Sequence, residues 1–485
     1  MKWFRQYTVE SILIGFFALL YAAISWVDHY VIYTEVLDLG LYTNALWDYA
    51  HLKWHYGECL NHYRENILHD HFDLYLIIFS PLGYLFKSYT LLVVQWAAIV
   101  LGGIGTWKVA KAVLNDRWAA LWSMIGFYSF FGIYSALAFD YHSNVVAAMV
   151  LPWFFYSILK KNMLLTWCWF VFILIGKENM SLWMLFVSLG AAIHWYREKR
   201  IRIHLLAMSL FSAIYFVTIL QVVMPALTHG GSYTHFNYDI LGNSMSEAIV
   251  NLVKRPFHYA QYLWISQRPG GGVSAIKVEF WTFFALSGGV LLALRPAFVV
   301  MLIPLVFQKF FNQRDTIWGI NDQYAIEFAP VLAIGAIYVA TLLAKSSWRK
   351  WLLAIVALAC MGMTLRAMDN SIKGPKSPKG RFYDKHHYWP KHDVERINEV
   401  LNLIPDDGAV VGSSRLIAQL AYRDRAYRLP QTEEANYFVH CWDFSGYPLN
   451  PTPMRELIQK LQASGEWETL VDDGYMVLLK RYTPK

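Results

Sequence analysis

Charge is scarce in this chain. Only 16% of its 485 residues are Asp, Glu, Lys or Arg, while 56% are hydrophobic and 17% aromatic, a balance that excludes an ordinary soluble enzyme and a secreted soluble protein. Cysteine is scarce too, with four residues in all. Cys168 and Cys360 fall within apolar runs, where a small hydrophobe is the default reading, and Cys59 and Cys441 are the two that could meet outside a membrane. Phosphate-binding glycine motifs are missing. There is no G-x-x-x-x-G-K-[ST], no G-x-G-x-x-G after a strand, and nothing downstream of the turn RPGGGVSA to make it nucleotide-binding. That disfavours an ATP-driven pump and a nucleotide-sugar Rossmann transferase. No H-E-x-x-H zinc helix, repeat, heptad or low-complexity tract occurs either. The first apolar stretch, Ser11 to Ser25 behind Lys2 and Arg5, lacks a small-x-small cleavage site and reads as a span and not as a cleaved leader.

What is present is a series of apolar runs, with Trp and Tyr at many of their ends. Spans at 9–27, 90–112, 117–139, 143–159, 164–176, 181–196, 203–224, 278–294, 297–311, 325–344 and 350–366 make about eleven crossings by hydropathy. Basic clusters punctuate them: Lys2 and Arg5; Lys108, Lys111 and Arg117; Lys160 and Lys161; Arg197 to Arg202; Arg295; Lys345 to Lys350. These clusters explain the net charge of +7 by topology, with no nucleic acid partner, since basic residues on short loops mark the cytoplasmic side. They fall on one side only if residues 72–87 do not cross. The stretch HDHFDLYLIIFSPLGYLF, residues 69–86 with their polar end, is therefore expected as a juxtamembrane or re-entrant helix on the outer face, packed against protein. A twelfth span is the competing reading.

The expected fold is therefore a mostly helical polytopic bundle, N-terminus in and C-terminus out. It comprises a membrane domain over 1–366 with outer loops 28–89 and 225–277, a basic linker over 367–392, and a small extracytoplasmic α/β domain over 393–485. In that last part a helix, strands at GAVVG, AYRL, NYFVHCW and YMVLLKRY, and helices near 416–421 and 454–463 are expected. The expected location is the cytoplasmic (inner) membrane.

Polar residues crowd the loops without basic clusters. Asp38, flanked by Leu37, Leu39 and Leu41, is either a general base near the membrane surface or a loop acid capping a helix. Asp140 and His142 sit at a span end and could ligate a divalent metal, bind hydroxyls, or simply cap two helices. His69, Asp70 and His71 form a suggestive group without the i, i+4 spacing of a helical metal site. Lys177 and Glu178, in a narrow turn between apolar helices, are costly unless paired or working. Arg314 and Tyr324 flank a further outer turn, NQRDTIWGINDQY.

The ordered segments LDLGLYTNALWD, HDHFDLYLIIFSPLGYLF, FDYHSN, GKEN, NDQYAIEFAPVL and IPDDGAVVGSSRLIAQLAYRDRAYRLP resemble a domain-of-unknown-function family of prokaryotic membrane proteins, distantly similar to GT-C glycosyltransferases. GT-C enzymes include the aminoarabinose transferases of lipid A and the protein mannosyltransferases. The resemblance covers nearly the whole chain. It departs from the common transferase pattern in TEVLDLG, which lacks an Asp-Glu pair, and in HDHF, which stands where many members have His-Pro-Pro. The resemblance implies a glycosyltransferase, inverting at the anomeric carbon, that takes a sugar from a polyprenyl phosphate at the outer membrane face. It implies Asp38 as the base or as the group that orients the acceptor, and Asp140 as an acid that helps bind metal or acceptor. Asp140 and, from its costly place beside Lys177, Glu178 are expected as further catalytic residues. His69, Asp70, His71, His142, Lys177, Arg314 and Tyr324 would bind substrate. A divalent metal on Asp140 and His142 is compatible with it, and no nucleotide is needed. The implied partners are a polyprenyl-phosphate sugar, membrane lipid, and a glycan, lipid or protein acceptor. A lipid-linked-sugar flippase or transporter and a non-catalytic scaffold binding glycan or protein are the alternatives.

Overall fold

A computed structural model of the protein describes residues 8–57, 66–228, 236–268, 270–374 and 379–482. Cys59 and His62 lie outside them. A helix occupies each of the apolar segments named above. Four helical runs, Thr8–Tyr30, Tyr75–Leu114, Lys199–Ala226 and Ser346–Asp369, are long and apolar enough to cross a bilayer. Arg117–Tyr128 and Phe131–Leu137 join them as a pair bent by 43°. Ser143–Leu159, Met163–Leu174, Pro296–Phe310 and Phe328–Ala340 are shorter apolar helices. This is an integral membrane protein. Its helices start and stop where local chemistry directs: Asp116 accepts from the N–H groups of Trp118 and Ala119 to open one helix, and Asn162 accepts from Leu165 to open another.

Within Tyr75–Leu114 the chain is broken. Tyr75–Phe79 and Gly83–Phe86 are short α segments separated by a 3-10 turn at Pro81, and Lys87 takes φ +46 before Thr90–Leu114 begins. Twelve residues of helix reach about 18 Å, well short of a hydrocarbon core of about 30 Å. The 25-residue helix Thr90–Leu114 reaches about 37 Å and suffices alone. The 75–86 stretch packs only one face on protein. Tyr75 and Leu76 are fully buried, whereas Ile77, Ile78, Tyr84 and Leu85 are exposed, so the expectation that it lies wholly against protein is corrected. Its period of 3.6 gives it an outward apolar face as well as an inward one.

The two ends of the bundle differ in chemistry. At one end the basic residues meet: Arg117 forks onto Glu10 at 2.8 and 2.9 Å, Ser346 donates to Asp116, Lys161 pairs with Glu198, and Arg295 donates to the Tyr338 carbonyl and the Thr341 hydroxyl. At the other end lie Asp38, Asp140, Glu178 and their partners. Lys87 and Asp406, 4.0 Å apart, tie the C-terminal domain to this second end.

That domain is a five-stranded sheet in the order β2-β1-β3-β5-β4. β1 (Val410–Gly412) runs parallel to β2 (Ala426–Arg428) and β3 (Tyr437–Cys441), and β5 (Met476–Arg481) runs antiparallel to β3 and to β4 (Trp467–Asp472). Helices Val394–Leu401, Ser414–Leu420 and Pro451–Ala463 accompany it. β4 was not among the expected strands: its mostly exposed residues do not form an apolar run.

The helix Ser414–Leu420 lies directly on the loop after the first span. Ser414 Oγ accepts from the Val36 N–H, Gln419 donates to the His29 carbonyl, and Asn44 donates to the Ala421 and Arg423 carbonyls. Close approach requires glycine at position 83, where a Cβ would fall 2.5 Å from the Tyr422 hydroxyl.

Candidate active site

Asp38 sits in a single π turn, Val36–Gly40, that runs straight into the helix Leu41–Ala50. One-turn π insertions re-aim side chains and recur at functional sites. Here the turn directs the Asp38 carboxylate at His142, with Oδ1 3.4 Å from Nε2. Its role is not that of a helix cap, since its recorded side-chain contact is to an imidazole. His142 precedes the helix Ser143–Leu159 and makes no capping bond through its side chain. It is buried, and its Nδ1 has no hydrogen-bond partner among the described residues.

The turn Asp140–His142 is held by Gln95, whose amide donates to the Asp140 carbonyl and whose Oε1 accepts from the His142 N–H, both at 2.9 Å. Asp140 takes φ +75, an uncommon conformation that Asp and Asn tolerate best. Its Oδ2 accepts from the Glu35 N–H at 3.1 Å and its Oδ1 is 3.4 Å from Lys379 Nζ. Asp140 and His142 therefore face different partners. Among the described residues, no group of three or more His, Cys, Asp or Glu side chains is disposed to hold a metal ion.

A second pair stands nearby. His71 Nδ1 and Glu178 Oε1 are 3.1 Å apart, and Glu178 Oε2 accepts from the Phe72 N–H. Lys177 joins the two pairs electrostatically, because its charge acts on Asp38, Asp73, His71, Glu178 and Glu327 alike. It forms no ion pair or hydrogen bond among the described residues and is half-buried. Asp322, at φ +57, and Tyr324 complete the group: the Asp322 charge is felt with that of Asp38 at the Tyr324 phenol.

Electrostatics sort these groups by role. Burial alone would raise the Asp38 carboxyl, but the hydrogen bond and charge of His142, with Lys177 and His71, bring it below the usual carboxylate range. Asp38 is thus ionised at neutral pH. Burial likewise opposes ionisation of Glu178, yet His71 and Lys177 hold its carboxyl low. Burial pushes Asp322 up to about 6 and Asp73 up to about 7. Burial and the charges of Asp322 and Asp38 push Tyr324 up to about 12.

The remaining candidates lie further out. His69 Nδ1 contacts the Asn66 carbonyl in its own turn. Asp70 is half-buried, with its charge acting on His71. Arg314 is exposed at the rim and acts on Tyr324 through its charge only. Sequence reasoning passed over Lys379, Gln95, Asp73 and Asp322 as site residues. Gln95, a lone amide in an apolar span, carried a usable signal, since polar groups at such positions are expensive and tend to be functional. A crevice among the helices, lined by Trp122, Phe127, Leu332, Val356 and Cys360, lies apart from these acids and holds no acid or base.

Solved structures of another protein share this fold along the whole chain. ArnT from Cupriavidus metallidurans bound to undecaprenyl phosphate superposes with a TM-score of 0.54 at 11% identity, covering 100% of this chain and 99% of that one. The apo state of the same protein gives 0.52 at 12% identity with the same coverage. No curated protein matches the chain in sequence. Residues 28–477, which span every candidate-site side chain named in this section, match the family described as Predicted membrane protein (DUF2079), and the chain belongs to that family.

Proposed function

We propose that this protein is a glycosyltransferase that moves a sugar from a polyprenyl-phosphate donor to an acceptor at the membrane face bearing Asp38. The observation that carries the reading is the convergence of an ionised Asp38 with His142, near the ammonium of Lys177, which makes no ion pair among the described residues, in a fold shared with ArnT bound to undecaprenyl phosphate. A polyprenyl phosphate lying between the helices brings its head group to this end of the bundle. Lys177 neutralises the phosphate charge, which grows as the bond to the anomeric carbon breaks. The acceptor oxygen attacks that carbon while Asp38 takes its proton, and polyprenyl phosphate departs with the bonding electrons. A single displacement of this kind inverts the anomeric configuration. His142 orients Asp38, and the outward-facing end of the bundle is the extracytoplasmic one, as the basic clusters at the opposite end support. The candidate acids Asp38, Asp140, Glu178 and Asp322 gather at one end of the bundle, and no carboxylate, histidine, lysine or arginine lines the crevice described above, which favours surface chemistry over a translocation path.

Purified protein in nanodiscs, given a panel of undecaprenyl-phosphate sugars and envelope extract as acceptor, should release undecaprenyl phosphate. Asp38→Asn should lower that release by on the order of 10²–10⁴-fold while leaving undecaprenyl phosphate binding, measured by native mass spectrometry, unchanged. Lys177→Ala should weaken the binding itself. Near-normal turnover in Asp38→Asn would remove Asp38 as the base.

A further inference from the structure

The segment between the last long helix and the C-terminal domain reads in sequence as a solvated basic tether, but its described part is not solvated. Lys379 has only 17% of its side chain exposed, and Asp140, its ion-pair partner, has 5%. Lys379 also acts electrostatically on Asp28, Glu35 and Asp322. Burial works against its charge, but Asp140, Asp28 and Glu35 together hold its ammonium more firmly protonated than an ordinary lysine. The backbone is shaped to put it there. Gly380 takes φ +76, and a Cβ at that position would fall 2.6 Å from Ala138 Cβ, so the chain lies flat on the turn that leads to Asp140. Beyond it, Arg381 donates to the Met368 and Asp369 carbonyls, His387 reaches the Ala23 carbonyl and Asp28, and His392 contacts the Val31 carbonyl.

Two segments of the candidate site depend on this arrangement. The Glu35 N–H donates to Asp140, the carboxyl that Lys379 pairs with, while the Glu35 side chain is clamped by Ser414 and by Arg415 at 2.9 Å. Three residues on is Asp38, and two residues past Asp140 is its partner His142. We infer that Lys379 is a positioning residue of the candidate site, the resident cation whose ion pair with the Asp140 carboxyl holds the 35–38 segment against the 140–142 turn. Its consequence for sugar transfer rests on the function proposed above. Its consequence for the local structure does not. A buried carboxylate left without its counter-ion is destabilising, and removing that carboxylate as well relieves the loss.

The test is hydrogen–deuterium exchange with mass spectrometry on the full-length protein in nanodiscs. Lys379→Met should speed exchange at least tenfold in peptides covering 33–40 and 138–143, with the Met163–Leu174 and Lys199–Thr218 helices, which hold none of the partners of Lys379 named above, unchanged. Lys379→Met combined with Asp140→Asn should return both peptides toward wild-type protection, because the Asn oxygen still accepts from Glu35. Lys379→Arg, which keeps the charge, should stay close to wild type. A lysine that merely fills space would show no recovery in the double variant. Failure of the single variant to fold, with recovery in the double, reads the same way. Unchanged exchange in Lys379→Met, or equal loss in the single and double variants, overturns the inference. If exchange behaves as expected while no transfer is found in any variant, the positioning role stands and the transferase reading falls.

Discussion

Asp322 is held at φ +57 in a half-buried turn where burial pushes its carboxyl up to about 6. An acid whose folded pKa exceeds its unfolded value holds an extra proton in the folded state between the two. Ionising it therefore costs stability above about pH 6, and the cost disappears below about pH 4. Asp322→Asn should accordingly raise thermal stability at pH 8 by an amount of order 1–3 kcal/mol and show no gain at pH 4. Asn accepts the left-handed conformation, so the backbone need not move. If the acid serves transfer, the same variant should lose turnover, which is the usual trade between stability and function. At this scale the sequence disclosed the acids better than their partners. Asp38, His142, His71 and Glu178 could be named from loops, because titratable residues beside apolar runs demand explanation. Lys379 could not, since a lysine in PKSPKG looks like any solvated tether until the fold shows what it lies against. Arg314, expected to bind substrate, has an exposed side chain; its place in a polar turn does not tell which way the side chain points.

Helix packing in the bundle rests on close approach. The Thr90–Leu114 helix presents Gly102, Gly103 and Gly105 to its neighbours, and a Cβ at Gly103 would fall 2.1 Å from the Tyr128 ring. Small residues let helices in lipid gain dispersion contact where no hydrophobic drive exists. Tyr128 cannot swing freely, because its hydroxyl donates to the Val100 carbonyl at 2.7 Å. Gly103→Ala should therefore destabilise the protein by roughly 1–3 kcal/mol through overpacking. Gly15→Ala, where a Cβ meets nothing within 4 Å, should be neutral. Thermal unfolding in one detergent compares the two. Element type and position were largely readable, since apolar runs in a membrane chain admit little besides helix. Breaks were not. At the kink between Arg117–Tyr128 and Phe131–Leu137 the Tyr21 and Thr364 hydroxyls donate to the Tyr128 and Ser129 carbonyls, and at the π turn of Asp38 the Val36 N–H donates to Ser414, contacts from distant segments that leave the hydropathy pattern undisturbed.

The whole molecule has a polarity that can be read from outside. Asp407 belongs to the domain tied to Lys87 at the start of the Thr90–Leu114 helix, whereas Ser347 adjoins Ser346, which donates to Asp116 just past that helix's end. An impermeant thiol reagent applied to intact cells should label Asp407→Cys and spare Ser347→Cys, with both labelled after lysis. The reverse pattern would put the candidate site on the cytoplasmic side. The contact between Ser414 and Glu35, 379 positions apart in sequence, has a bearing on how the protein is made. Chain growth runs from the N-terminus, so the loop with Asp38 emerges long before the residues that hold it. Until Lys379 and the Ser414–Leu420 helix have docked, a nascent chain can carry Asp38, Asp140, Glu178 and Asp322 without having assembled the site. On the function proposed above, a half-made protein would be kept from consuming scarce donor lipid, and premature termination anywhere before residue 379 should leave an inserted but idle product.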